Sequence, residues 1–245
     1  MLWIDDTVPH EGTLNMAIDE VLLRGGGWRG EAVLRTYRWA RRERSIGYFS
    51  PLDGKDSPAP KRATVVRRMT GGGVVEHGDG VDLTFSLVVP AGDRLWALPG
   101  GERYREIHEV VVQSLRSAGV ECRLAVVAEA GAAQSAYAGG DCYTKPVQWD
   151  VLGADDSKLA GGGQRRRRDG LLHQGSVRAS VSHGDFYRAL ARGFNAGVQI
   201  GLCESVLVAA RELERQKYAT EGWLRGRAKS AAEPSAGLRL RQRVS

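Results

Sequence analysis

Two glycine-rich stretches constrain this chain more than any other feature: Arg67-Arg68-Met69-Thr70-Gly71-Gly72-Gly73-Val74-Val75-Glu76-His77 and Lys158-Leu159-Ala160-Gly161-Gly162-Gly163-Gln164. Three consecutive glycines are costly in backbone entropy. They serve either a sharp turn or a backbone that must come within contact distance of something else. Arginines beside exposed N–H groups suit a phosphate, a carboxylate or a polarised carbonyl. A tight turn carrying surface arginines accounts for the first stretch equally well. The glycine spacing fits neither the dinucleotide fingerprint nor the Walker P-loop. The second stretch repeats the theme with a lysine at its head.

Composition narrows the setting. A chain of 245 residues with 42% hydrophobic content builds a substantial core as one large domain or two small ones. No apolar run approaches the ~20 residues of a membrane span, and Met1-Leu2-Trp3-Ile4-Asp5-Asp6 turns acidic too soon for a secretory signal. Cys122, Cys142 and Cys203 are odd in number and irregularly spaced, which argues against a disulfide framework or a zinc site and for reduced thiols in a cytoplasm. The net charge of +6 is carried almost entirely by arginine. It favours acidic partners, although a GC-rich genome gives the same bias.

Along the chain, residues 2–4 read as a short edge strand. Thr13 reads as the N-cap of a helix with Leu14, Ala17, Ile18, Val21 and Leu22 on one buried stripe, closed by Gly25-Gly26-Gly27. Asn15 and Asp19 fall off that stripe and read as solvated. Residues 32–39 form a strand, with 44–48 as its paired neighbour, and the proline-bearing 50–60 is loop. A strand at 63–68 feeds the first glycine stretch and another follows at 81–89, so Arg68, the glycines and His77 stand at one sheet edge. A helix spans 104–115 with His108 packed on its apolar face, followed by a strand at 124–127 and a mobile alanine–glycine loop at 128–140. Strands at 147–152, 158–164 and 170–177 come next, the first two joined by the turn Asp155-Asp156-Ser157. Arg165 to Arg168 reads as a solvated turn; no nucleic-acid-binding module accompanies it. Asp185 caps a helix to Phe194, another runs over 205–215, and Thr220 caps a short last one. Without a repeat or a linker, this is one α+β domain: mixed, mostly antiparallel sheets with flanking helices.

Cys142 is the cysteine in a conspicuous setting. It follows a glycine pair in a loop, with Lys145-Pro146 beyond it and Lys158 across one hairpin. A nucleophilic thiol must be reachable and partly ionised, and a nearby cation supplies the ionisation. Cys122 and Cys203 read as structural or inert.

RRMTGGGVVEH resembles the arginine–glycine motif of the lipoate–protein ligase A and octanoyltransferase family, whose catalytic domain shares its fold with biotin–protein ligases. KLAGGGQRRRRDGLLHQGSV is similar to that family's second motif, Asn15 to Glu20 to its first helix, and Lys217 to Leu224 to its closing segment. The match covers roughly residues 1–228, leaving 229–245 as a flexible tail. The resemblance implies that Lys158 contacts the acyl carbonyl and helps activate it. Gly71, Gly72 and Gly73 would close around the acyl chain, with Arg68, His77, Gly161, Gly162 and His173 also binding substrate. Asp141-Cys142-Tyr143-Thr144-Lys145-Pro146 is similar to the loop of an octanoyltransferase branch in which the cysteine holds an octanoyl thioester. That implies transfer from octanoyl-acyl carrier protein to a lysine of a lipoyl domain or of glycine cleavage H protein, with no metal, cofactor, nucleic acid or membrane. The rival is a lipoate–protein ligase using ATP and Mg²⁺. Many such ligases carry an added C-terminal domain, for which there is no room after Trp223. A non-catalytic acyl- or carrier-binding protein would need neither Cys142 nor Lys158, and biotin transfer fits the glycine motif poorly. Val74 to His77 and the triple glycine at Gly161 depart from the common forms and leave chain-length preference open.

Overall fold

The computed structural model describes residues 1–25, 27, 30–52, 64–78, 80, 82–126, 143 and 146–226. In chain order the first half holds β1 (Leu2–His10), α1 (Gly12–Arg24), β2 (Val33–Trp39), β3 (Glu43–Ile46), β4 (Thr64–Arg67), β5 (Val74–His77), β6 (Leu83–Pro90), α2 (Arg94–Ala97) and α3 (Gly100–Ser117). The second half holds β7 (Cys122–Leu124), β8 (Val151–Gly153), β9 (Lys158–Arg166), β10 (Gly170–Val177), α4 (His183–Gly193), β11 (Val198–Ile200), α5 (Glu204–Leu213) and α6 (Glu221–Leu224). A π-helical turn, Glu214–Tyr218, extends α5.

Among the described residues, one sheet runs β11-β1-β2-β6-β10-β9-β8-β7 and a smaller one runs β4-β3-β5. In the large sheet β1 pairs in parallel with β11 and β2, and every other pair is antiparallel. The α+β, mostly antiparallel expectation therefore holds. Leu83–Pro90 and Gly170–Val177 are buried along nearly their whole length because both faces of their strands are covered. Side chains alternate between two cores. Leu87, Val89, Leu171 and Val177 pack with α3 and α4 through Ile107, Val111, Phe186 and Leu190. Val88 and Leu172 pack with α1 and α5 through Ile18, Leu22, Val206 and Ala210.

Four local expectations are corrected. β1 is not an edge strand, because Val198–Ile200 pairs with Leu2–Ile4; a three-residue strand is too short to show periodicity. β3 does not pair with β2 but joins β4 and β5 in the small sheet. Glu11, not Thr13, occupies the N-cap of α1, and the Thr13 hydroxyl donates to Glu214 instead. Ser182 rather than Asp185 caps α4, by accepting from the Asp185 N–H. Thr220 caps α6 as expected, accepting from the Trp223 N–H.

The largest correction concerns α1. Asn15 and Asp19 are fully buried, not solvated. The apolar stripe of α1 faces the core, but the sheet covers its polar side as well, and the polar residues there meet Arg35 from β2. The Arg35 guanidinium, also fully buried, donates to Asp6 (Oδ2, 2.7 Å), Asp19 (Oδ1, 2.8 Å) and Asn15 (Oδ1, 2.6 Å). Asp19 accepts further bonds from Ser86 and Gln174, and the Gln174 amide oxygen accepts from Thr70 at the start of the first glycine stretch. A chain of hydrogen bonds thus runs from the interior of α1 to the glycine loop.

Candidate active site

The two glycine stretches meet. A Cβ on Gly163 would stand 2.5 Å from the Gly71 carbonyl oxygen and 3.1 Å from the Thr70 hydroxyl, so the β4–β5 loop lies directly on β9. Gly72 has a φ of +98°, open to glycine at no steric cost, and its carbonyl packs where a side chain on Gly47 would be. Close backbone approach is the reason for Gly163 and Gly47, and a left-handed backbone is the reason for Gly72.

Arg67 and Arg68 brace this loop from behind. Arg67 donates to the carbonyls of Gly47, Tyr48, Ser50 and Leu224. Arg68, buried, donates to the carbonyls of Ser45, Gly71 and Gly73 and to the Ser45 hydroxyl. His77, the last residue of β5, stacks on Trp39 with ring centroids 4.0 Å apart. Its Nε2 lies 2.6 Å from the Ser45 hydroxyl and its Nδ1 lies 2.6 Å from Asp82 Oδ2. Ser45 Oγ also accepts from Arg68, and His77 lies between that hydroxyl and the Asp82 carboxylate. This serine–histidine–aspartate row has its hydroxyl fully buried. It is a brace for the glycine loop rather than a nucleophile. Burial opposes ionisation of Asp82, but the charge of His77 and bonds from His77, Ser176 and Thr84 outweigh it and hold the carboxyl below its ordinary range.

Lys158 opens β9 at a bulge. The ladder pairs Val151 with Ala160 but Leu152 with Lys158, so Leu159 is an extra residue. The bulge offsets the side-chain alternation by one and brings Lys158 and Gly161 to the same face. A Cβ on Gly161 would fall 2.6 Å from Lys158 Cε and 2.7 Å from Nζ, so this glycine leaves the space that the lysine fills. Lys158 Nζ pairs with Asp150 Oδ2 at 2.8 Å, the lysine side chain being 7% exposed and the aspartate 0%. Asp150 also accepts from the Tyr104 hydroxyl (2.7 Å) and the Val147 N–H (2.7 Å). Tyr104 in turn accepts the Gly162 N–H. Beyond the lysine, Tyr143 offers its ring to Lys158 Nζ at 5.8 Å and to the Arg178 guanidinium at 3.8 Å. The Tyr143 hydroxyl lies 3.0 Å from Ser176 Oγ, which donates to Asp82. The Lys158 and His77 sides of the site are therefore joined through Tyr143, Ser176 and Asp82. Cys142 lies outside the described residues, as do 127–142 generally.

Reasoning from sequence missed Asp150, Tyr104, Asp82 and Gln174. Asp150 had a usable signal: a carboxylate one residue before the strand that pairs with the lysine strand. Tyr104 looked like one more member of an apolar helix stripe.

His173 lies on the opposite face, fully buried beside His108, with the half-buried Tyr104 ring next to both. The Gln164 amide faces its Nδ1, and a Cβ on Gly162 would fall 2.6 Å from its Nε2. Burial holds both imidazoles neutral: it lowers His108 from 6.5 to about 4, against the opposing pull of Asp150, and His173 well below its usual value. Below pH 6.5 the unfolded chain binds protons that the folded one refuses, so stability falls as pH drops from about 6.5 to about 4. His108 alone is expected to contribute about 3 kcal/mol of that loss. His108→Asn, which keeps a donor toward the Trp149 carbonyl, should flatten the decline in urea midpoint between pH 7 and pH 4.5. A parallel decline in the variant would remove His108 as the cause.

Cys122 is buried against the Val112 carbonyl, and burial raises its thiol. Cys203 lies at the N-cap of α5, its thiol lowered by a hydrogen bond with Ser205. Among the described residues no helix is long and apolar enough to cross a membrane.

A glycine loop laid on a glycine strand, beside a buried lysine–carboxylate pair in an antiparallel sheet, defines a recognisable class of catalytic domain. The chain matches the lipoyl protein ligase A/B catalytic domain over residues 11–214, and it belongs to that family. It is 33% identical over 184 residues to octanoyltransferase LipM of Oceanobacillus iheyensis, an alignment covering 72% of this chain and 63% of that protein. It is 32% identical over 170 residues to octanoyltransferase LipM of Staphylococcus aureus, covering 66% of this chain and 60% of that protein. The chain thus spans less than two thirds of the length of these relatives. Its fold is that of a lipoate-protein ligase A bound with ATP (24% identity, TM-score 0.75, covering 92% of this chain and 98% of the other). A bi-partite lipoate protein ligase from Thermoplasma acidophilum has the same fold (23% identity, TM-score 0.74, covering 95% and 98%).

Proposed function

We propose that this protein is an octanoyltransferase of protein lipoylation. It takes an octanoyl group from acyl carrier protein onto Cys142 and passes it to a lysine of a lipoyl domain or of glycine cleavage H protein. The reading includes one catalytic domain over residues 1–228, action in the cytoplasm and no requirement for ATP. Relatives named octanoyltransferase at 32–33% identity support it. The observation that carries it is the buried Lys158–Asp150 pair, set against Tyr143, the residue that follows Cys142. Gly71, Gly72, Gly73, Gly161 and Gly162 shape the acyl pocket in this reading, with Arg68, His77 and His173 supporting its walls.

The Cys142 thiolate attacks the acyl carbon of the donor, and the carbonyl electron pair moves to oxygen. The oxyanion is stabilised by the Lys158 ammonium, which Asp150 holds in place. Collapse expels the carrier thiolate and leaves an octanoyl thioester on Cys142. Because the thioester keeps the acyl group activated, no adenylate is needed.

Intact-mass measurement after incubation with octanoyl-acyl carrier protein, without ATP, is expected to show an octanoyl adduct on the wild type and none on Cys142→Ala. Full transfer by Cys142→Ala would refute the relay. Transfer of lipoate that requires ATP and Mg²⁺ would replace the reading with a ligase.

A further inference from the structure

The residue in front of Asp150 has the backbone of a glycine and the side chain of a tryptophan. Trp149 has a φ of +71°. It is the third residue of a β-turn closed by the Asp150 N–H on the Val147 carbonyl at 3.1 Å. A positive φ at that point belongs to a type II turn, whose third position is normally glycine or asparagine. On a bulky aromatic residue the geometry is strained, and it persists only where the surroundings hold it. The carboxylate that pairs with Lys158 is therefore mounted on a strained turn.

What holds the turn is α3. Tyr104 and His108 lie one helical turn apart and face the same way, their rings 4.0 Å apart. His108 donates from Nδ1 to the Trp149 carbonyl at 2.6 Å. Tyr104 donates its hydroxyl to Asp150 Oδ1 at 2.7 Å and accepts the Gly162 N–H at 2.9 Å. Arg105 lays its guanidinium over the Trp149 ring at 5.6 Å. The strand side completes the grip, because the Trp149 N–H donates to the Ala125 carbonyl and the Ala125 N–H donates to the Asp150 carbonyl. Asp150 Oδ2 accepts from the Val147 N–H at the start of the same turn, as well as pairing with Lys158. Relaxation of Trp149 to a negative φ would part Val147 from Asp150 and draw the carboxylate off the lysine.

Resting on the octanoyl-transfer reading above, we propose that Tyr104 and His108 are positioning residues for Lys158: His108 holds the backbone of the turn in its left-handed form, and Tyr104 fixes the carboxylate that the turn carries. Tyr104 also ties this mount to β9, because Gly162 stands four residues from Lys158 on the lysine's own strand. The ammonium is thus set from two sides, by Asp150 and by the strand that bears it. The strain gives the device a signature that can be tested. A glycine at position 149 adopts the left-handed turn at no steric cost, with or without His108.

Octanoyl transfer from acyl carrier protein to a lipoyl domain is measured in wild type, Tyr104→Phe and His108→Leu, and in each with Trp149→Gly added. Amide exchange at Ala125, whose N–H binds the Asp150 carbonyl, is read against Leu87 at the centre of the sheet. Both single variants are expected to lower kcat by about tenfold with the KM for the carrier protein unchanged, the scale of a small misplacement of a reacting group. His108→Leu should also speed exchange at Ala125 more than at Leu87. Adding Trp149→Gly to His108→Leu should restore about fivefold of the rate and slow that exchange. It should bring no comparable gain to Tyr104→Phe, whose turn is still anchored by His108. A role in stability alone predicts no such selective rescue. Wild-type transfer by either single variant overturns the assignment, and so does a His108→Leu rate that Trp149→Gly leaves unchanged. If circular dichroism shows His108→Leu unfolded, Tyr104→Phe decides through kcat and KM. A wild type that transfers nothing removes the octanoyl reading, and exchange at Ala125 then decides the mount alone. Reversal by Trp149→Gly upholds it, and wild-type exchange in His108→Leu overturns it.

Discussion

Arg35→Leu is expected to destabilise the folded protein by about 3–5 kcal/mol, read as a shift of the urea midpoint. Arg35 is fully buried between Asp6 and Asp19, which are 3% and 0% exposed. Burial works against the charge on Arg35, but Asp19 and Asp6 outweigh it and raise the guanidinium above its ordinary value. Asp6 is likewise lowered despite burial, by its bond with His10 and the charge of Arg35. Removing the arginine strands two carboxylates in the interior, which costs far more than the pair gains while intact. The double variant Arg35→Leu with Asp19→Leu should recover part of the loss by removing one stranded charge. The effect also reaches the site, because Asp19 holds Gln174 and Gln174 holds Thr70. Amide exchange at residues 71–73 should accelerate in Arg35→Leu beyond the change at distant β7. A loss below about 1 kcal/mol, the range of an exposed pair, would mean that the interior tolerates the unpaired charges.

That network marks where sequence reading reaches its limit. The α1 stripe of Leu14, Ile18 and Leu22 was legible because helical periodicity fixes one buried face. It says nothing about whether a second layer covers the opposite face. Asn15 and Asp19 look solvated until Arg35, sixteen residues beyond Asp19, arrives from another strand. Lys158 was legible from its place at the head of a glycine strand, and the turn at Asp155 to Ser157 from its composition. The bulge at Leu159 that aims the lysine was not, since an extra residue in a ladder is a property of register rather than of pattern. The glycines signalled close approach, but not that the two stretches approach each other; Gly163 against Gly71 is a contact between segments more than ninety positions apart. The short parallel strand β11 shows the same limit. Its partner β1 lies nearly two hundred positions away, and three residues are too few to display an alternation.

If the proposed octanoyl-transfer reading holds, Lys158→Met is expected to lower that transfer by about 10²–10³-fold, the scale of removing a preorganised oxyanion donor. The single variant does not isolate that effect. Asp150 is fully buried, so losing its ammonium partner leaves an uncompensated interior charge and costs about 3–5 kcal/mol. Asp150→Asn added to Lys158→Met removes the charge and keeps an acceptor for the Val147 N–H, while the new amide NH2 faces the Tyr104 hydroxyl, which can accept from it. This double variant should regain most of the thermal stability and none of the transfer rate. Recovery of both together would reduce the pair to a structural role and withdraw Lys158 from the chemistry. Gly161→Ala tests the same point from the other side. Its new Cβ would lie 2.6 Å from Cε and 2.7 Å from Nζ of Lys158, at the far end of a flexible side chain that yields more easily than backbone. The lysine is expected to shift its ammonium by the displacement the new methyl group imposes while staying paired with Asp150, with little change in the fold. Transfer should then fall at least about tenfold while the melting temperature drops by only a few degrees. Wild-type transfer by Gly161→Ala would show that the position of the ammonium, and with it the glycine at that point of the strand, is unimportant to the reaction.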